Sequence, residues 1–266
     1  MRDADNLDST IALLTETVRD AGALALRMQG TTLREWTKSG ASPVSEADIA
    51  ANDLIETRLR TATPDHGWLS EESVDDTARL GKRLTWIVDP IDGTRGYLAG
   101  REDWCVSVAL VDGAVPLLAV VFAAVTDEFF FAQKGQGATL NGKALRATSG
   151  TAIDFGRMAG PKPMVERLSD HGRDITLYPR IASLALRLCR VADGVLDAAF
   201  AGGASKDWDL AAADLIVHEA DGRLTELGGD PILYNRRDTT HGTLIAAGRD
   251  RHTDLVQRFK DRPIGW

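Results

Sequence analysis

Two apolar runs, Cys105 to Val111 and Val115 to Phe122, stand on either side of the pair Asp112-Gly113. Asp-Gly accepts the positive φ angles of a tight turn, so the segment predicts a β-hairpin. Phe129 to Ala132 and the Asn141-Gly142 turn continue it as an antiparallel sheet. Upstream, Leu7, Ile11, Leu14, Val18, Ala25 and Met28 recur at helical spacing and predict an amphipathic helix. A polar loop follows from Lys38 to Pro43. Ser45 with Asp48 three residues on then reads as a capping box that opens a second helix to about Arg60. Leu84 begins a strand through Trp86-Ile87-Val88, which Pro90 is expected to end because it has no N–H to pair. The first half is read as two helices packed on a meander.

The second half alternates. Helices are expected over Ile181 to Ala192 and Asp209 to Ala220, with strands at Val195 to Phe200, Leu224 to Leu227 and Thr243 to Ala247, and a closing helix. The expected class is α/β (α+β) in layers, with subdomains over residues 1–148 and 149–266 sharing a cleft. A 266-residue chain with 44% hydrophobic residues can bury a core without disulfides or a structural metal. That composition also excludes disorder. The net charge of −8 makes nucleic-acid polymers and anionic membranes poor partners. Cys105 and Cys189 form no CxxC or Cys/His cluster, as in a reduced cytoplasmic protein. The polar, acidic start MRDADNLDST has no signal-peptide character. The longest apolar run, Ala114 to Val125, is too short for a bilayer and contains Pro116. A soluble cytoplasmic protein is expected.

The chemistry-bearing residues are acidic and sit at segment ends. Asp89-Pro90-Ile91-Asp92-Gly93-Thr94 leaves an apolar strand and turns at once. Proline fixes one φ angle and glycine permits close backbone approach, so Asp89 and Asp92 can face one space with the Ile91 carbonyl between them. Carboxylates with a carbonyl are the hard oxygen set that Mg²⁺ selects. Amides after Gly93 offer a nest for a phosphate oxygen. Glu71-Glu72 precedes this motif, and Asp207-Trp208-Asp209 opens a helix whose N-terminus favours anions. Carboxylates converging on one cleft would repel each other without divalent cations. Each residue also has a plainer reading: Asp209 and Asp48 as helix caps, Glu71-Glu72 as a solvated turn. His66, His171, His218, His241 and His252 show no ligand spacing, and there is no P-loop, GxGxxG motif or nucleophile elbow.

Taken in order, Ser45-Glu46-Ala47-Asp48, Glu71-Glu72-Ser73, Asp89 to Thr94 and Trp208-Asp209-Leu210-Ala211-Ala212 resemble the inositol monophosphatase superfamily over nearly the whole chain. The resemblance implies a layered αβαβα sandwich of the inositol monophosphatase/fructose-1,6-bisphosphatase type. It also implies Mg²⁺-dependent hydrolysis of small phosphate monoesters, Li⁺ sensitivity and often a homodimer. By motif, Glu71, Asp89 and the Ile91 carbonyl would hold one Mg²⁺, and Asp89, Asp92 and Asp209 a second. A weaker third ion would sit near Glu71. Thr94, hydrogen-bonded to Asp48, would orient the attacking water. Gly93 and Thr94 amides would hold the phosphate, with Ser183 from the following helix.

Substrate choice turns on departures from the inositol pattern. Arg95 stands where inositol enzymes usually carry threonine, and the stretch Phe200 to Lys206 lacks the acid that meets ring hydroxyls. Lys206 and Arg95 suit a second phosphate, or are ordinary surface residues. The Ser183-to-Leu188 helix and Asp207-Trp208-Asp209 are most similar to bacterial 3'(2'),5'-bisphosphate nucleotidases (CysQ-type). The expected substrate is therefore 3'-phosphoadenosine 5'-phosphate, with inositol 1-phosphate next and histidinol phosphate third. A non-catalytic metal-binding scaffold is the alternative from another class.

Overall fold

The computed structural model describes residues 2–37, 43–152, 156–169 and 175–261. Helix α1 (Arg2–Met28) follows the predicted apolar spacing, with Leu14, Val18, Ala21 and Ala25 fully buried. A two-strand ribbon, β1 (Glu35–Thr37) and β2 (Pro43–Ser45), leads into α2 (Glu46–Ala62). The Ser45–Asp48 capping box is formed in both directions. Within the polar loop, residues 38–42 lie outside the described residues, as does His171.

The meander is a seven-stranded sheet. It comprises β3 (Gly67–Ser70), β4 (Leu84–Asp92), β5 (Cys105–Asp112), β6 (Val115–Ala123), β7 (Glu128–Gln133), β8 (Gly137–Leu140) and β9 (Lys143–Ala144), in that spatial order. Only β3 pairs in parallel, against β4. Both faces are buried, which is why the strands read as nearly continuous apolar runs. Trp86, Val88, Val108 and Val120 meet α1 and α2 on one face. On the other, Ile87, Ala109, Ala119 and Phe130 meet two helices from later in the chain.

Between β4 and β5 a short helix, α3 (Thr94–Leu98), follows the acidic motif. Beyond the first sheet come β10 (Arg157–Ala159), α4 (Lys162–Ser169), β11 (Thr176–Leu177), α5 (Leu184–Ala192), β12 (Ala198–Ala201), β13 (Ser205–Lys206) and α6 (Asp207–Glu219). The last elements are β14 (Gly222–Glu226), β15 (Thr240–His241), β16 (Leu244–Gly248) and α7 (Arg249–Asp261). A second sheet has the order β11-β10-β12-β16-β14. Its inner face, with Ala199, Ala201, Leu224 and Ala246, closes over α5 and α6. Its outer face, with Met158, Phe200 and Ile245, is covered by α4 and α7 through Met164, Val165, Leu255 and Phe259. The layers are α1/α2, first sheet, α5/α6, second sheet and α4/α7: the expected αβαβα sandwich.

Three expectations are corrected. Pro90 does not end β4; pairing resumes at Asp92, and three steps on β4 (Asp89 to Asp92) oppose two on β5 (Ser107 to Cys105). The extra residue makes a bulge, where a missing proline N–H costs no ladder bond. Helix α5 starts at Leu184 rather than Ile181, because Ser183 caps it. Strand β12 starts at Ala198 rather than Val195, because Asp193 accepts from the Val195 amide in the preceding turn. After α6, Asp221 occupies the left-handed region (φ 66°), which aspartate tolerates better than most residues, and its carboxylate pairs with Arg146 and Arg249.

Gly248 marks where the second sheet meets the segment before it. A Cβ there would fall on the Thr148 carbonyl oxygen. That segment cannot yield easily, since buried Arg251 bonds Thr148 Oγ1 at 2.7 Å and the Ala152 carbonyl at 2.9 Å. Gly248→Ala should cost about 2–3 kcal/mol, the upper part of the range for overpacked sites. Urea unfolding midpoints check this, and an unchanged midpoint would show that the segment relaxes.

Candidate metal centre

The bulge in β4 brings Asp89 and Asp92 to one side. Each is nearly inaccessible, and with Asp209 they place one carboxylate oxygen apiece within 4.8 Å of each other. The chain holds all three from outside the cluster. Asp89 Oδ1 accepts from the Ile91 amide at 3.1 Å. Asp92 Oδ2 accepts from Ser183 Oγ and from the Ala185 amide, both at 2.6 Å, at the start of α5. Asp209, in the first turn of α6, accepts from the Lys206 amide at 2.6 Å through Oδ2. The capping reading of Asp209 is therefore correct for one of its oxygens, and the residue still offers an oxygen to the cluster.

Glu71 follows β3, its amide bonded to the Val88 carbonyl at 3.1 Å, so it lies beside Asp89. The Glu71-Glu72 turn is not a loose one. Ser70 Oγ accepts from the Glu72 amide and donates to Asn52 Oδ1 at 2.7 Å, tying the turn to α2. Asp48 Oδ2 accepts from the Ser45 amide and hydroxyl, while Oδ1 lies 3.2 Å from Thr94 Oγ1. Thr94 Oγ1 also lies 3.1 Å from the Ile91 carbonyl, so one hydroxyl proton has two acceptors. Gly93 is required twice over. Its φ is +96°, and a Cβ would stand 3.0 Å from the Ser183 amide nitrogen.

Not every expected substrate contact faces this space. Ser183 is fully buried; its hydroxyl donates to Asp92, accepts from the Leu186 amide and lies 3.2 Å from Cys105 Sγ. It positions Asp92 and has no capacity left for a substrate, contrary to the sequence expectation. Lys206 is half-buried, with its Nζ on Thr240 Oγ1, and Arg95 is exposed. Arg187 is the cation that sequence reasoning passed over. It is half-buried on α5, its Nε is buried with no hydrogen-bond partner among the described residues, and it is attracted to Asp92. Sequence reading also missed the clamp on the α6 N-terminus: His241 Nε2 and the Asn235 amide each lie 2.7 Å from an Asp207 oxygen.

Crowding controls the electrostatics. Burial, then the charges of Glu71, Asp92 and Asp209, push the Asp89 carboxyl well up. Burial raises Asp92 against the opposing bonds from Ser183 and Ala185. Burial and the Asp92 charge bring Asp209 up to about 8. Burial likewise raises Asp48. A cluster of hard oxygens this costly to ionise fits a divalent cation of the Mg²⁺ kind, which would neutralise it.

Two signs follow for the cation-free protein. Folded Asp209 keeps a proton that the unfolded chain loses, so stability falls as pH rises from the ordinary 3.8 towards about 8. Cation binding near pH 7 must then expel protons. Calorimetric Mg²⁺ titration at pH 7 in buffers of different ionisation heat should show net proton release that shrinks towards pH 9. A buffer-independent heat would contradict the raised carboxyls.

The comparisons with known proteins agree with this geometry. The family model described as "Inositol monophosphatase family" matches residues 6–262. The Nus factor SuhB of Xylella fastidiosa is 35% identical over 82% of this chain and 82% of its own length. Inositol monophosphatase 1 of Solanum lycopersicum is 30% identical over 84% and 86%. A histidinol-phosphatase of Mycobacterium tuberculosis is 32% identical over 78% and 80%. Among solved structures, the extragenic suppressor protein suhB of Bartonella henselae superposes with a TM-score of 0.84 at 26% identity, covering 96% of this chain and all of that one. With the layered fold and the acidic cluster, these matches make the chain a phosphomonoester hydrolase that belongs to the inositol monophosphatase family.

Proposed function

We propose that this phosphatase is Mg²⁺-dependent and hydrolyses a small metabolite bearing a second anionic group, with 3'-phosphoadenosine 5'-phosphate as the favoured substrate. The observation that carries this reading is the half-buried Arg187 with its buried, unpartnered Nε, one turn along α5 from Ser183, with Arg180 close enough to act on its charge. A second phosphate would give this half-buried guanidinium an anionic, bidentate partner, where an inositol ring offers only neutral hydroxyls. Arg95 and Lys206 add positive charge on the flanking segments, and residues 200–205 bring no acid to meet ring hydroxyls.

In this reading Glu71, Asp89 and the Ile91 carbonyl would hold one Mg²⁺, and Asp89, Asp92 and Asp209 would hold a second. Cations held there would supply charge to polarise the phosphoryl oxygens and to lower the pKa of water. The protein's own groups do the positioning. Thr94 Oγ1 accepts a hydrogen bond from the attacking water while donating to Asp48 Oδ1. Asp48, raised by burial, is suited to take the proton. Gly93 and Thr94 amides hold the transferring phosphoryl group. The reading includes Li⁺ inhibition, a reduced cytoplasmic setting, a possible homodimer, and a cleft between subdomains 1–148 and 149–266.

A second reading rests on the relatives named as inositol monophosphatases, and assigns inositol 1-phosphate. The histidinol-phosphatase relative supports histidinol phosphate. Phosphate release with Mg²⁺ from all three compounds, with Asp89→Asn as the blank, separates them. The nucleotide should lead in kcat/KM, and Arg187→Met should lower its value at least tenfold more than that for inositol 1-phosphate. A lead for inositol 1-phosphate, untouched by Arg187→Met, would overturn the nucleotide assignment.

A further inference from the structure

A cavity of about 690 Å³ lies away from the carboxylate cluster and shares no residue with it. It is walled by the far half of α6, by β14 and by the turn before Tyr234. Helix α6 joins the two places: Asp209 lies in its first turn and His218 in its last, about 13 Å apart along the axis at 1.5 Å per residue. One wall is apolar, formed by Pro116, Leu215, Leu224, Ile232 and Leu233. Leu233 is 42% exposed, a large apolar side chain left at the mouth.

The polar wall is unbalanced towards positive charge. Its two acids are committed. Asp214 Oδ2 accepts from Tyr234 Oη at 2.8 Å, and its Oδ1 lies 2.7 Å from His218 Nδ1. Glu219 accepts the Gly135 and Gly137 amides, both at 2.8 Å. Arg249 is paired with Asp221. Lys134 and Arg223 remain: among the described residues neither makes a direct ion pair, and Lys134 is drawn only at longer range to the Asp112 carboxylate on the neighbouring turn. His252 lies in the same wall. Its Nε2 lies 2.9 Å from Thr225 Oγ1, which is also 2.7 Å from the Glu226 carbonyl. Burial, His218 and Arg223 bring its pKa down to about 4. Volume, apolar wall and surplus cations together define a pocket of the size that binds small ligands.

We infer that this cavity is a second ligand site, for an amphipathic anion with an apolar ring or short chain set against Leu215, Leu224 and Ile232 and one carboxylate or phosphate-type head on Arg223 and Lys134. This inference goes beyond the catalytic reading and does not depend on which phosphate ester is hydrolysed.

The test titrates the Mg²⁺-loaded protein with 8-anilinonaphthalene-1-sulfonate, an apolar ring system with one anionic head, while phosphate release is followed in parallel. Fluorescence should saturate at one probe per chain. Lys134→Glu, at an exposed position that cannot disturb the core, and Arg223→Glu should each weaken binding at least tenfold. Leu233→Trp, which fills the mouth, should abolish the saturable signal, and hydrolysis should persist in all three variants. Displacement by phenylacetate or by phenylphosphonate supports the site and says which head it prefers. Non-saturable binding, parent-like affinity in all three variants, or equal displacement by uncharged benzyl alcohol would overturn the inference.

Discussion

Mutual repulsion among Asp89, Asp92, Asp209 and Glu71 is the constraint on which the architecture turns. Like charges this close, largely out of water, cannot all ionise unless a cation joins them, and nothing in a hydrophobic core would choose to gather them. The fold gathers them by supports attached elsewhere. A bulge at Pro90 turns the strand end, α5 offers Ser183 Oγ and the Ala185 amide to Asp92, and α6 offers the Lys206 amide to Asp209. Two helix N-termini thus point at the acids and soften their charge, as helix dipoles do.

Those supports depend in turn on the central helical layer being clamped between two sheets. Alanines on the inner face of the first sheet, Ala109, Ala119 and Ala132 among them, leave room for α5 and α6 to lie close. Burying both faces of both sheets supplies the apolar stabilisation that offsets an electrostatically unfavourable site. Function and stability are therefore opposed at one place and reconciled by the layers around it.

Much of this was legible in the sequence. The helices and the meander followed from apolar spacing, the αβαβα stacking from the family resemblance, and the acids from their position at segment ends. The failures share a cause, contacts between residues far apart in sequence. Pro90 reads as a strand terminator because local turn chemistry favours it, yet β5 re-pairs with Asp92 and absorbs the proline in a bulge. Ser183 reads as a phosphate contact because it opens a helix, but Asp92, 91 residues away, takes its hydroxyl. Arg187 was hidden within an apolar helical repeat that looks purely structural, and only the position of Asp92 reveals its charge as unusual. The brief strands β10 and β11 are too short to carry a period.

The central claim is that the bulged end of β4 and the first turn of α6 together hold cations. Anomalous diffraction from crystals grown with Mn²⁺ in place of Mg²⁺ tests it without reference to any substrate. Peaks should lie among the oxygens of Asp89, Asp92 and Asp209, and Asp89→Asn should remove or weaken them. Full occupancy elsewhere with none at these three carboxylates would contradict the account.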